Sequence, residues 1–120
     1  MSGSVLIVDD DPGFRSLANR ILTEAGLTVV AEAEDARTAV IAANASRPEG
    51  ILVDLGLPDR GGLDLARELF ALEWHPRVLL TSSDPEAAQL LDGHRESLPF
   101  LVKEDLPNAP LRSLLGAVEG

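Results

Sequence analysis

The sequence predicts an α/β fold: a single doubly wound (βα)5 domain, with a five-stranded parallel sheet in the order 2-1-3-4-5 and helices on both faces. Three observations carry that expectation. Short continuous apolar runs, SVLIV at Ser4–Val8, ILV at Ile51–Val53 and VLL at Val78–Leu80, read as strands buried on both faces. Between them lie segments whose apolar residues recur at helical spacing. Strand and helix signals alternate along the whole chain, and right-handed crossovers between parallel strands then cover both faces of the sheet.

The first strand, Ser4–Val8, ends in three acids, Asp9, Asp10 and Asp11. Pro12 suits the first position of a helix and Asp11 the cap before it. Phe14, Leu17, Ala18, Ile21, Leu22 and Ala25 fall on one face of that helix, and Gly26 is placed to end it in a left-handed conformation. Thr28–Ala31 is β-branched and reads as a second strand. Glu32, Glu34 and Asp35 after it suit a less central position. A second helix is expected from about Ala36 to Ala45, with Ala36, Ala39, Val40 and Ala43 inward and Arg47-Pro48 closing it.

The third strand, Ile51–Val53, stops at Asp54, and Pro58 and Gly61-Gly62 turn the chain into a third helix. That helix is expected from about Leu63 to Glu73, with Leu63, Ala66, Leu69 and Phe70 as its buried stripe and Trp74 packing near its end. Val78–Leu80 is the fourth strand, ending at Thr81, Ser82 and Ser83. Asp84-Pro85 opens a short fourth helix through about Leu91, ended by Gly93. Phe100–Val102 is the fifth strand, ending at Lys103. A last helix from about Asn108 to Val118 buries Leu111, Leu114, Leu115 and Val118. No repeat or linker interrupts the pattern, so residues 1–120 are expected to form one domain.

Composition narrows the function. The balance of 45% hydrophobic and 25% charged residues is that of an ordinary globular domain. No run of eighteen apolar residues offers a membrane span, and no signal-peptide pattern is present. The absence of cysteine excludes disulfides and thiolate metal sites and fits a cytoplasmic setting. Twenty acidic against ten basic residues give a net charge of −10, which disfavours direct binding to nucleic acid and makes a divalent cation the more natural ligand.

Taken alone, Asp54 could simply end a strand and solvate its tip. In the order 2-1-3-4-5, however, strands one and three lie side by side at the switch point, where ligands bind in open α/β sheets. Asp9, Asp10 and Asp54 then meet at the carboxyl edge of the sheet, with Thr81 and Lys103 arriving from strands four and five. Two carboxylates about 5 Å apart repel by roughly 3 kcal/mol at an effective dielectric near 20. Such a cluster asks for a counter-ion, and a few carboxylates plus waters suit Mg2+. Lys103 is the only lysine among ten basic residues. Its compact ammonium serves as a point charge and phosphate binder where the planar arginine fork is too large.

VDDD at Val8–Asp11, VDLGLPDRGG at Val53–Gly62, VLLTSS at Val78–Ser83 and FLVK at Phe100–Lys103 stand in an order and spacing that resemble a response-regulator receiver domain, the phosphorylation module of two-component signalling. The 22-residue interval between Thr81 and Lys103 is part of that spacing. The resemblance covers the whole length and implies the same strand order, that of the chemotaxis regulators. It implies that Asp54 is the phosphoacceptor. Asp10, Asp54 and the backbone carbonyl of Gly56 would bind Mg2+, with Asp9 holding one of its waters. Thr81 would hydrogen-bond one phosphoryl oxygen and Lys103 would pair with another. Phe100 matches the family's switch aromatic, and equally suits an ordinary core position in strand five. Asp11 is left as a helix cap. The donor would be a histidine kinase or histidine phosphotransfer protein. The readout would be a surface change on the fourth helix, fifth strand and fifth helix, about Pro85–Val118, where two copies could also pair. His75 and His94 are assigned no part in the transfer.

Two departures from the family pattern matter. Proline often follows the lysine there through a cis peptide, whereas Glu104 follows here. A cis bond without proline costs about 2.5–4 kcal/mol, so either the loop differs or strain is tolerated. The chain also ends just after its fifth helix, as a stand-alone or an excised receiver would. Positions two residues beyond the phosphoacceptor and the threonine, which in the family orient the hydrolytic water, are Gly56 and Ser83, and the resemblance therefore implies slow dephosphorylation. Two other functions share the acid cluster. An aspartate-nucleophile, Mg2+-dependent phosphohydrolase is echoed by Asp9-x-Asp11 but lacks a cap insertion. A pseudo-receiver that only binds a partner is disfavoured because no acid, threonine or lysine is missing.

Overall fold

A computed structural model describes residues 3–91 and 98–116. In chain order these form β1 (Ser4–Val8), α1 (Pro12–Glu24), β2 (Thr28–Ala33), α2 (Ala36–Ser46), β3 (Gly50–Asp54), α3 (Gly62–Phe70), β4 (Arg77–Ser82), a 3-10 helix (Pro85–Leu91), β5 (Phe100–Val102), a second 3-10 helix (Lys103–Asn108) and α4 (Leu111–Leu115). The strands pair in parallel in the order β2-β1-β3-β4-β5, the expected topology. No helix among the described residues is long and apolar enough to cross a membrane.

Because successive strand residues point to opposite faces, each central strand feeds two cores. Leu6, Val8, Ile51, Val53 and Leu80 pack with Ala36, Ala39 and Ala43 of α2 and Leu65, Ala66 and Leu69 of α3. Val5, Ile7, Leu52 and Leu79 pack on the other face with Phe14, Ala18 and Leu22 of α1 and Leu106, Leu111 and Leu115 near the C-terminus. β2 is an edge strand, exposed at every other residue and buried only at Ala33, as its polar tail suggested.

Helix starts and stops follow local chemistry. Asp11 caps α1 by accepting the Gly13 N–H at 2.9 Å, Pro12 opens the helix, and Gly26 follows it with φ +96°. Trp74 donates its ring N–H to the Pro48 carbonyl at 2.8 Å, with Arg47 stacked 4.4 Å from its ring centre.

Four expectations need correction. Leu17, assigned to the buried face of α1, is 46% exposed, because that face is narrower than its apolar spacing suggests. In α3 the buried residues are Gly62, Leu65, Ala66 and Leu69, and Phe70 lies outside at 40% exposure. Gly62 sets that rotation: a Cβ there would collide with the Asp54 carbonyl, so the helix comes down on the sheet through its glycine. The fourth helix occupies its expected range but is 3-10 throughout its described length. The last helix does not run from Asn108. Lys103–Asn108 forms a separate 3-10 helix containing Pro107, and α4 starts only after Pro110, whose missing N–H and ring break a continuous helix. Leu111 and Leu115 are buried there as expected, Leu114 is half-buried, and Val118, Gly93 and His94 lie outside the described residues. Among the described residues every peptide is trans, the Lys103–Glu104 bond included.

Candidate functional site

Register brings the acids together. Val8 of β1 lies beside Val53 of β3, so Asp9 and Asp10 leave the sheet next to Asp54. Asp54 in turn is the register partner of Thr81 on β4, and Ser82 pairs with Val102, the residue before Lys103. All five residues expected at the site therefore converge on one edge of the sheet. Oxygen atoms of Asp9, Asp10 and Asp54 lie within 4.8 Å of one another.

The environments of these acids differ. Asp9 is 1% exposed, and its Oδ1 accepts the Asp11 N–H at 2.9 Å. Its Oδ2, fully buried, accepts no hydrogen bond of normal geometry among the described residues and instead forms an ion pair with Lys103 Nζ at 2.7 Å. The same ammonium is 3.6 Å from Asp54 Oδ1. Asp10 is exposed at the mouth of the cleft. Thr81 is fully buried, and its hydroxyl makes only a long 3.5 Å contact to the Val53 carbonyl, leaving it weakly held. Gly56 and Ser83 are exposed, and Phe100 is half-buried against the core beneath α2 and α3. His75 is exposed in the connection from α3 to β4, at the opposite end of the strands.

These surroundings set the charge states. Burial raises the Asp54 pKa above the ordinary carboxylate value, and the negative charge of Asp9 adds to it, against the opposing pull of Lys103 and the Gly56 amide. Burial alone pulls the Lys103 ammonium down. The close pairing with Asp9 and the negative fields of Asp54, Asp9 and Asp11 outweigh it, so its pKa rises. Lysine thus stays charged, while Asp54 carries an electrostatic cost that a cation relieves. The donors fit a hard divalent ion: all are oxygens, and they converge.

Three participants were not singled out from the sequence. Arg15 of α1 donates from Nη1 to the Asp9 carbonyl at 2.6 Å and pairs through Nε with Glu32 of β2 at 3.2 Å, fixing the backbone of the acid run. Asp59, in the loop after β3, accepts the N–H groups of Ala36 and Arg37 at the start of α2. Phe14 lies with its ring centre 4.4 Å from Lys103 Nζ. A helix-face phenylalanine and charges in ordinary surface positions carry no distinguishing signal in the sequence.

The sequence pattern of the response regulator receiver domain matches residues 5–103. The chemotaxis protein CheY of Thermotoga maritima is 27% identical over 115 residues, which cover 95% of this chain and 96% of that protein. The solved signal receiver domain of NarL from Mycobacterium tuberculosis is 30% identical, with a TM-score of 0.78 over 93% of this chain and 95% of that one. Chemotaxis protein CheY4 of Vibrio cholerae superposes with a TM-score of 0.76 at 25% identity, over 94% and 98% of the two chains. With its parallel sheet in the 2-1-3-4-5 order and its acid cluster at the carboxyl edge, the chain belongs to the response regulator receiver domain family.

Proposed function

We propose that the chain is a phosphorylation-dependent signalling switch, a single receiver domain over residues 1–120 that works in the cytoplasm. Asp54 accepts a phosphoryl group from a phosphohistidine on a separate histidine kinase or histidine phosphotransfer protein. A carboxylate oxygen of Asp54 attacks phosphorus, the phosphorus–nitrogen bond breaks, the imidazole leaves with a proton from solvent, and an aspartyl phosphate remains. Asp10, Asp54 and the Gly56 carbonyl would hold Mg2+, with Asp9 holding one of its waters. The ion would supply neutralisation of phosphoryl oxygen charge. Lys103 pairs with one phosphoryl oxygen and the Thr81 hydroxyl donates to another. The chain is not a turnover enzyme beyond its own phosphorylation and slow dephosphorylation.

One observation carries this reading: a single half-buried ammonium, Lys103 Nζ, stands 2.7 Å from Asp9 and 3.6 Å from Asp54 at the carboxyl edge of the sheet. Phosphorylation draws Thr81 and Lys103 toward the phosphate. Thr81 pairs with Leu101 of β5 and Lys103 opens the 3-10 helix that follows β5, so the region from Pro85 onward carries the readout to a partner or a second copy, with Phe100 following Thr81. The test is incubation with Mg2+ and phosphoramidate or acetyl phosphate, followed by intact mass. One stable added phosphoryl group supports the reading. No addition points to a pseudo-receiver, and turnover of many donor equivalents points to a phosphohydrolase.

A further inference from the structure

We infer that Phe14 is a positioning residue, whose ring face holds the Lys103 ammonium at the cleft while the carboxylates beside it are occupied by metal. The inference rests on the proposed function, in which Lys103 meets a phosphoryl oxygen. Lys103 Nζ lies 4.4 Å from the Phe14 ring centre, within the range where an aromatic face attracts a cation. Phe14 is 9% exposed and Lys103's side chain 17%, so water screens the contact little.

The physical need arises from competition. Without metal, Asp9 and Asp54 hold the ammonium. A divalent cation shared by those carboxylates weakens their pull and itself repels the lysine. The flexible four-carbon stem would then no longer be fixed by the carboxylates alone. The ring face is neutral and takes no metal, so its attraction survives metal loading. It is also a fixed platform: α1 is anchored by Ala18 and Leu22 in the core and by the Asp11 cap beside the cleft. Phe14 thus keeps the lysine in place before the phosphoryl group arrives.

Lys103 is the chain's only lysine, so lysine labelled with 13C at the ε carbon gives a single signal in the full chain. In the wild type the ε protons are expected upfield of a free lysine, through the ring current, both without and with saturating Mg2+. Phe14→Met, similar in volume, loses that shift, and Phe14→Leu serves in its place if the first variant folds poorly. With phosphoramidate and saturating Mg2+, phosphorylation by intact mass slows about threefold to tenfold in Phe14→Met and recovers in Phe14→Tyr. In a Lys103→Ala background Phe14→Met adds no further slowing. A wild-type ε signal unshifted in Mg2+, a Phe14→Met rate equal to wild type, or equal slowing without the lysine overturns the inference. A wild type that takes up no phosphoryl group overturns the proposed function and with it any role of this contact in transfer, whereas an unshifted ε signal in a phosphorylatable wild type overturns the inference alone.

Discussion

The Asp59 carboxylate accepts the backbone N–H of Ala36 at 2.9 Å and so ties the loop after β3 to the start of α2. Its second oxygen takes the Arg37 N–H at 3.2 Å, and Asp35 takes the Thr38 N–H at 2.8 Å, so three of the helix's free donors are satisfied by two carboxylates. Asp59→Ala is expected to destabilise the fold by about 1 kcal/mol, and Asp59→Asn, which keeps one acceptor, by less. Urea denaturation measures both. An alanine variant as stable as wild type would show that the cap carries no free energy.

Asp35 has a pH signature of its own. The Thr38 hydroxyl donates to Asp35 Oδ1 at 2.6 Å, and together with the Thr38 N–H it holds the carboxyl below its ordinary value. A lowered folded-state pKa means that the stabilisation is complete above the unfolded pKa, about 3.9, and is lost as pH falls through the folded value. Asp35→Asn, an uncharged cap, should therefore lose less stability than wild type as pH falls below the ordinary carboxylate pKa. Thr38→Val should raise the Asp35 pKa toward the ordinary value, as read by carboxyl NMR titration. Parallel acid profiles for wild type and Asp35→Asn would count against the hydrogen bond as the cause.

Metal should stabilise the protein because it relieves the repulsion among Asp9, Asp10 and Asp54. At ten times the Mg2+ dissociation constant the gain is about 1.4 kcal/mol by mass action. Thermal melts with and without Mg2+ read this directly. Asp10→Asn should remove most of the gain, and identical wild-type melts would argue against the ion site.

The sheet was legible because its three central strands are buried on both faces, so Ser4–Val8 and Ile51–Val53 stand out as apolar runs bounded by acid and glycine. The convergence of Asp9, Asp10, Asp54, Thr81 and Lys103 followed from topology, since every one sits at a strand's carboxyl end. Rotation about a helix axis was harder to read. Phe70 and Leu65 are equally apolar, and only the close approach of Gly62 to Asp54 decides which of them faces inward. Bonds from a loop side chain to the backbone of a distant helix left no periodic trace at all. Asp59 lies within the most informative stretch of the chain, yet Ala36, its partner, is 23 residues away.

Asp54 should be the sole phosphoacceptor. Asp54→Asn is expected to abolish labelling by phosphoramidate, because an amide oxygen is a poor nucleophile toward phosphorus. Lys103→Ala should still label but respond weakly, since the cation that gathers phosphoryl oxygens is gone. Intact mass gives the labelling, and amide shifts from Pro85 onward give the response. A stable phosphoryl group on Asp54→Asn would move the site elsewhere.

The lifetime of the phosphorylated form depends on how well water is held in line with phosphorus, since orienting a nucleophile is worth orders of magnitude in rate. The positions that would aim it are Gly56 and Ser83, both exposed. Glycine offers no polar group and serine only a short, uncharged hydroxyl. Beside Gly56 an open pocket of about 360 Å3, whose lining includes Leu55, Gly56 and Ser82, gives water access to the site. Access alone favours hydrolysis, but unaligned water attacks poorly, so orientation is the stronger effect. The aspartyl phosphate should therefore last minutes to hours rather than seconds. The backbone permits the test: Gly56 is not in the left-handed region, and a Cβ there would lie 3.7 Å from Asp54 Oδ2, ordinary contact next to the phosphoacceptor. Gly56→Asn and Ser83→Glu should each shorten the half-life, by about tenfold or more where the new group holds the water in line. Decay is followed on a phosphate-affinity gel. A wild-type half-life of seconds, or variants that decay no faster, would defeat the argument, because it would mean that solvent access rather than alignment limits the hydrolysis.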